Sequence, residues 1–103
     1  MLGKLLATGQ VANTEGAIYT VPASTTTYIK SMTFYNTGAI AQTLIVYARD
    51  GAGTSRVIGR AVLQENWTCK IDDSLVLEAT DTIRAQTTNA TTVDYSIYGV
   101  EEA

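Results

Sequence analysis

Turn-forming residues cut this chain into short pieces. They stand at Asn13-Thr14-Glu15-Gly16, Pro22-Ala23-Ser24, Thr37-Gly38, Asp50-Gly51-Ala52-Gly53, Gln64-Glu65-Asn66, Asp72-Asp73-Ser74, Glu78-Ala79-Thr80-Asp81 and Thr88-Asn89-Ala90. The segments between them are rich in β-branched and aromatic residues, and none has a convincing helical period. Strands punctuated at this spacing are the pattern of an all-β sandwich. Seven or eight strands are expected. They run over Lys4–Gln10, Ala17–Val21, Thr25–Asn36, Gln42–Arg49, Ser55–Leu63, Trp67–Ile71, Leu75–Leu77 leading on into Thr82–Thr87, and Thr91–Val100. The expected fold is an all-β, antiparallel β-sandwich, jelly-roll-like, of about eight strands.

The composition agrees. Seventeen threonines and six tyrosines suit a pleated, half-buried surface. Hydrophobic residues make up 46% of the 103 positions and charged residues 17%, far from the balance of a disordered chain. The length suits one domain with one real core. Residues 1–15 are expected to be an N-terminal arm or first strand, and 16–103 a single β-sandwich domain. The apolar run in Met1-Leu2-Gly3-Lys4-Leu5-Leu6-Ala7 is too short for a signal peptide or a membrane span, so synthesis in the cytoplasm is expected.

The strand Thr25–Asn36 has a phase problem. Side chains alternate with period two, so Ile29 falls on one face while Met32 and Phe34 fall on the other. A bulge at Lys30-Ser31 would return both sets to the core, and so would a strand bending between two sheets. With the phase so repaired, the expected core is Ile29, Met32, Phe34, Leu44, Val46, Val62, Ile71, Leu77, Ile83, Val93, Tyr95 and Ile97.

Little in the chain points to catalysis. There is no histidine, which removes Ser-His-Asp and Cys-His arrangements and the commonest transition-metal ligand. No carboxylate-pair motif stands out, and no enzyme activity, catalytic residue or cofactor is expected. The single cysteine, Cys69, alternates with Trp67 and Ile71 and reads as a small buried hydrophobe. Asp72, Asp73 and Asp81 lack the spacing of a calcium loop and read as turn-capping residues, so no metal is expected. The net charge of −3, with no basic run, leaves nothing to hold a nucleic-acid backbone. Two Asn-x-Thr sequons, at Asn66 and Asn89, read as chance matches in a threonine-rich chain. Trp67 is either core, a subunit-interface anchor or a sugar platform.

One resemblance adds to this reading. Tyr19, Val21, Pro22 and Ala23 lead into Ile29-Lys30-Ser31-Met32 and a closing Asn36. Later come Leu75, Leu77, Ala79, Asp81-Thr82-Ile83 and a final Gly99-Val100-Glu101. Spanning Ala17 to Glu101, this resembles a pattern in small β-sandwich virion proteins of tailed bacteriophages, of head decoration (cement) or appendage type. Met32 and Trp67 depart mildly from the usual aliphatic pattern. The resemblance implies a structural protein of the virion, most simply a capsid decoration protein that binds and stabilises the assembled head. Its implied partners are itself, as a homotrimer, and the major capsid protein lattice, with no nucleic acid and no membrane. The alternative is a tail or fibre accessory module that binds a host surface glycan. Candidate interface residues are Leu2, Lys4, Leu5, Leu6, Tyr28, Tyr47, Arg60, Trp67, Arg84 and Tyr98. Arg60 and Arg84 are expected to pair across subunits with acids such as Glu65, Glu78 or Asp81.

Overall fold

The structure is a computed structural model that describes residues 4–72, 74–89 and 92–103. Nine strands and no helix are found among them: β1 Lys4–Gln10, β2 Gly16–Thr20, β3 Thr26–Asn36, β4 Gln42–Arg49, β5 Ser55–Leu63, β6 Thr68–Ile71, β7 Leu75–Leu77, β8 Thr82–Gln86 and β9 Val93–Glu102. They form two antiparallel sheets packed as a sandwich. The first has the order β1-β9-β3-β6, with β7 also pairing β3, and the second the order β2-β8-β4-β5. The count exceeds the expected eight because Leu75–Leu77 does not run on into β8. It pairs with β3 in the first sheet, and the Glu78–Asp81 turn carries the chain across to the second.

The crossings between sheets are buried and hydrogen-bonded. Val11 follows β1, is almost fully buried, and donates its amide to Val93 O at 2.9 Å. Val21 follows β2, donates to Asp81 O at 3.0 Å and accepts from Thr80 N at 3.3 Å. Pro22 comes next, a residue with no amide proton to give to a ladder. Of the two readings of the first fifteen residues, Lys4–Gln10 is a strand of the sandwich itself, paired along β9 from Lys4↔Gly99 to Gln10↔Asp94.

The phase problem in β3 resolves at the position where the alternation breaks. Ile29 faces Gly99 and Ser31 faces Tyr98, so Lys30 is an extra residue opposite β9. It points to solvent, and Ile29, Met32 and Phe34 are all completely buried. Three further bulges insert Leu6, Ile18 and Ile58 into their strands. Each of these side chains packs, partly buried, against the core. Removing an aliphatic or aromatic side chain from water in this way contributes about 1.5–3 kcal/mol when burial is complete.

Gly99 sits where two bulges converge on β9. A Cβ there would lie 2.2 Å from the Tyr28 carbonyl oxygen and 3.1 Å from Leu6 Cδ1. Only a residue without a side chain lets β3 and β1 close on β9 at this level.

The core differs from expectation at one residue. Val62 is 53% exposed. Leu63 lies opposite Gln42 and Ala61 opposite Leu44, so the odd-numbered residues of this part of β5 face inward and Val62 faces out beside Thr43. Ile71 and Tyr95 pack against the core while only partly buried, and the other nine expected residues are buried.

Candidate interaction surface

Three groups of large apolar side chains face solvent, each placed by strand register or by a loop clamp. The first is on the outer face of the β1-β9-β3 sheet. Leu5, Tyr98 and Ser31 lie side by side on successive strands, and one step along lie Val100, Tyr28 and Val76. Leu5, Tyr98 and Val76 are exposed, whereas Val100 is nearly covered. Tyr28 also borders a shallow hollow with Thr26, Glu78 and Glu102, and an adjoining one with Lys30 and Val100. Thr26 Oγ1 donates to Glu78 Oε2 at 3.3 Å across the first hollow. On the opposite, inward side of this sheet, Lys4 Nζ forms an ion pair with Glu101 at 3.1 Å.

The second group is on the outer face of the β2-β8-β4-β5 sheet. Register puts Arg60 beside Ile45 and Gln86, and Val57 beside Tyr47 and Arg84. Val62 completes the apolar set. Tyr47 donates its hydroxyl to Gln86 Oε1 at 2.9 Å. Arg84 Nε lies 3.9 Å from Glu15 of its own chain and donates to Thr82 Oγ1 at 3.2 Å. Glu15 also accepts from Ser55 Oγ at 2.7 Å. Arg60 is exposed and makes no ion pair among the described residues.

The third group is at one end of the sandwich. Trp67 is 56% exposed and Ile40 68% exposed, and Tyr35, near this end of β3, is 37% exposed. Their loops are clamped by Asn36, which is wholly buried. Its Nδ2 donates to Ile40 O at 3.0 Å, Leu63 O at 2.9 Å and Gln64 O at 3.3 Å, and its Oδ1 accepts from Gly38 N at 2.9 Å. Its backbone amide donates to Trp67 O, and its carbonyl accepts from Asn66 N, both at 3.0 Å. Asn66 has a positive φ of 62°, a conformation asparagine tolerates better than most residues. Tyr35 donates its hydroxyl to Asn66 Oδ1 at 3.0 Å. β6 therefore begins at Thr68, and Trp67 is released from the inward face on which Cys69 and Ile71 lie. Of its three expected roles, core is excluded.

The remaining expected residues divide plainly. Leu2 lies outside the described residues. Leu6 is turned toward the core by its bulge, so it is packing rather than surface. Asp73 lies outside the described residues, and Asp81 is occupied by its own turns. Asp81 Oδ1 accepts from Gly51 N at 3.1 Å and Oδ2 from Glu78 N at 3.0 Å. Asp72 lies 4.0 Å from Lys70. Among the described residues no three His, Cys, Asp or Glu side chains come together as metal ligands would. Burial pushes the Cys69 thiol above its ordinary pKa, away from the reactive thiolate. The Asn36 clamp and the exposed Ile40 were missed in the sequence. The available signal was a polar residue closing a β-rich strand just before Thr37-Gly38.

No family model matches the chain, and no curated protein matches it in sequence. Several solved structures are similar to it in fold. One is from work on Bacillus endospore appendages, described as a novel family of disulfide-linked pili, at 15% identity and a TM-score of 0.59 over 99% of this chain and 87% of the other. Two more are of a pentameric capsid protein from metagenomic phage sequences, at 18% and 19% identity and TM-scores of 0.47 and 0.46. This chain spans 62% and 63% of their lengths. What the appendage likeness establishes is the architecture, an all-β sandwich shared over nearly the whole chain.

Proposed function

We propose that this chain is a structural protein of a phage particle: a capsid decoration protein that self-associates as a homotrimer and binds the assembled head. The observation that carries the reading is the distribution of its exposed apolar residues. Strand register sets exposed Leu5 beside exposed Tyr98 on one sheet and puts Val57 and Val62 on the outer face of the other, and Ile40 and Trp67 are exposed at one end. Exposed apolar groups that adjoin one another support a binding face, whereas isolated ones need no explanation. The strand order fits as well. A jelly roll wraps its chain between two four-stranded sheets, an arrangement found in viral capsid and lectin domains, and the order β1-β9-β3-β6/β7 over β2-β8-β4-β5 supports that reading when β6 and β7 are counted together as the sixth of eight strands.

A decoration protein of this kind acts by adding contacts across the joints between capsid subunits. It need bind only the assembled lattice, so it stabilises that lattice by mass action. The test is to mix the protein with bare heads and measure bound copies and the melting temperature of the particle. Saturable binding and a raised melting temperature support the reading. No binding to heads contradicts it.

The exposed Trp67 favours a second reading, in which a tail or fibre module stacks a glycan on its ring. Titration with host surface glycans while following Trp67 fluorescence separates the two. A saturable change, together with no binding to heads, selects the glycan.

A further inference from the structure

We propose that the outer face of the β2-β8-β4-β5 sheet docks, through Arg60, onto the Glu78–Glu102 hollow on the other sheet of a second copy of this chain. The inference deepens the self-association just proposed and rests on that reading for its setting alone.

The chain carries net charge −3, yet all four of its arginines, Arg49, Arg56, Arg60 and Arg84, lie on the strands of one sheet. Those four strands contain no aspartate or glutamate. The other sheet holds the three lysines, and its β9 holds Asp94, Glu101 and Glu102. Folding thus separates an arginine face from acid-bearing surfaces that the linear order interleaves. Two of the outward arginines differ in what holds them. Arg84 is engaged by Glu15, whereas Arg60 stands exposed between Ile45 and the valines Val57 and Val62 without an ion pair among the described residues. An arginine set among apolar residues is the composition of an interface centre, where charged residues in general are depleted and arginine is enriched.

The second copy supplies the complement. Its hollow is lined by Tyr28, Glu78 and Glu102, and the exposed Val76 lies opposite Tyr28 on β7. Glu102 also lines the adjoining hollow, where Lys30 stands beside Val100, so Glu78 marks the side away from the lysine. The guanidinium presents a rigid fork of donors that matches a carboxylate, and it stacks on an aromatic face. The two surfaces lie on different sheets, so the contact is heterologous. Heterologous contacts close into rings or run on as chains, and a homotrimer is one such ring.

The test contains no heads, so it can fail while attachment to heads stands, and the reverse. Wild type, Arg60→Glu and Glu78→Arg/Glu102→Arg are compared by sedimentation velocity across micromolar concentrations at low and high salt. Circular dichroism checks that each is folded, which exposed positions on β5 and β9 and in the Glu78–Asp81 turn should allow. The expected result is concentration-dependent association of wild type that weakens with salt. Each variant should associate about tenfold or more weakly, because like charges then face each other. Mixing the two variants should restore association between unlike copies, since each then meets an opposite charge on the other, while a ring of three keeps one like-charged contact and is not fully regained. A monomeric wild type, variants that associate as wild type does, or a mixture that stays apart would each overturn the proposal.

Discussion

The Tyr19 hydroxyl donates to Glu101 Oε2 at 2.5 Å, and so ties β2 of one sheet to β9 of the other. Thr27, fully buried on β3, lies 2.8 Å from the same hydroxyl, and Lys4 pairs with the same carboxylate. Four strands meet in this polar joint.

The joint makes stability depend on pH at both extremes. Burial, reinforced by the Glu101 carboxylate, pushes the Tyr19 hydroxyl up to about 12. A free tyrosine ionises near about 10. Above that point the unfolded chain loses its proton while the folded chain keeps it, so stability falls as pH rises toward the folded value. Tyr95, also raised by burial, adds to the same limb. Urea midpoints measured from neutral to strongly alkaline pH should decline over this window. Tyr19→Phe should decline less steeply than wild type. At the acid end the donated Tyr19 hydrogen bond and Lys4 hold Glu101 below its ordinary value. Its contribution is present above about 4.3, the unfolded value, and is lost as pH falls through the lower folded value.

Phe34 and Val62 should respond oppositely to truncation. Phe34 is completely buried, and Val62 faces solvent. Phe34→Ala should cost about 3–5 kcal/mol through lost transfer energy and a cavity. Val62→Ala should stay within about 0.5 kcal/mol, as surface changes usually do. Chemical denaturation of both variants decides, and a Phe34→Ala loss under about 1 kcal/mol would remove this ring from the core.

Asn36→Ala should loosen the end of the sandwich that bears Trp67. The change strands the carbonyls of Ile40, Leu63 and Gln64 and the amide of Gly38. Leaving buried polar groups unpaired costs about 1–3 kcal/mol. Trp67 is the single tryptophan, so its fluorescence anisotropy reports the loop directly and should fall while the β signal in circular dichroism persists.

Gly99→Ala should destabilise by about 1–3 kcal/mol, the cost of forcing extra volume into a packed site. The obstacle is backbone, the Tyr28 carbonyl, and cannot swing aside as a side-chain tip can. A thermal unfolding midpoint equal to wild type would show that β3 and β9 are less closely apposed than described.

Local patterns carried much of this fold, and long-range register carried the rest. The β3 bulge was legible because Ile29 and the Met32, Phe34 pair fall out of phase within one strand. The hairpin at Asp50–Gly53 was legible from its glycines, and Gly53 has φ +96° while Asp50 Oδ1 accepts from Ala52 N and Thr54 N. Val62 was misread because its facing depends on which residues of β4 stand opposite, and alternation alone allows either phase. Trp67 alternates with Cys69 and Ile71 in sequence, but the Asn66 turn breaks the strand before that alternation applies. The arginine face was invisible because it needs β8 beside β4, a pairing of strands far apart in the chain. Candidate surface residues were therefore named singly, without the neighbours that make them surfaces.

The proposed structural role on the outside of a phage head is settled by locating the protein in the assembled particle. Image reconstruction of the intact virion, with the atomic coordinates fitted to the density, is the measurement. The expected result is this sandwich at repeating lattice sites on the outer surface of the head, touching more than one capsid subunit. Density for it at the tail tip or fibres alone, or none in the particle, would contradict that role.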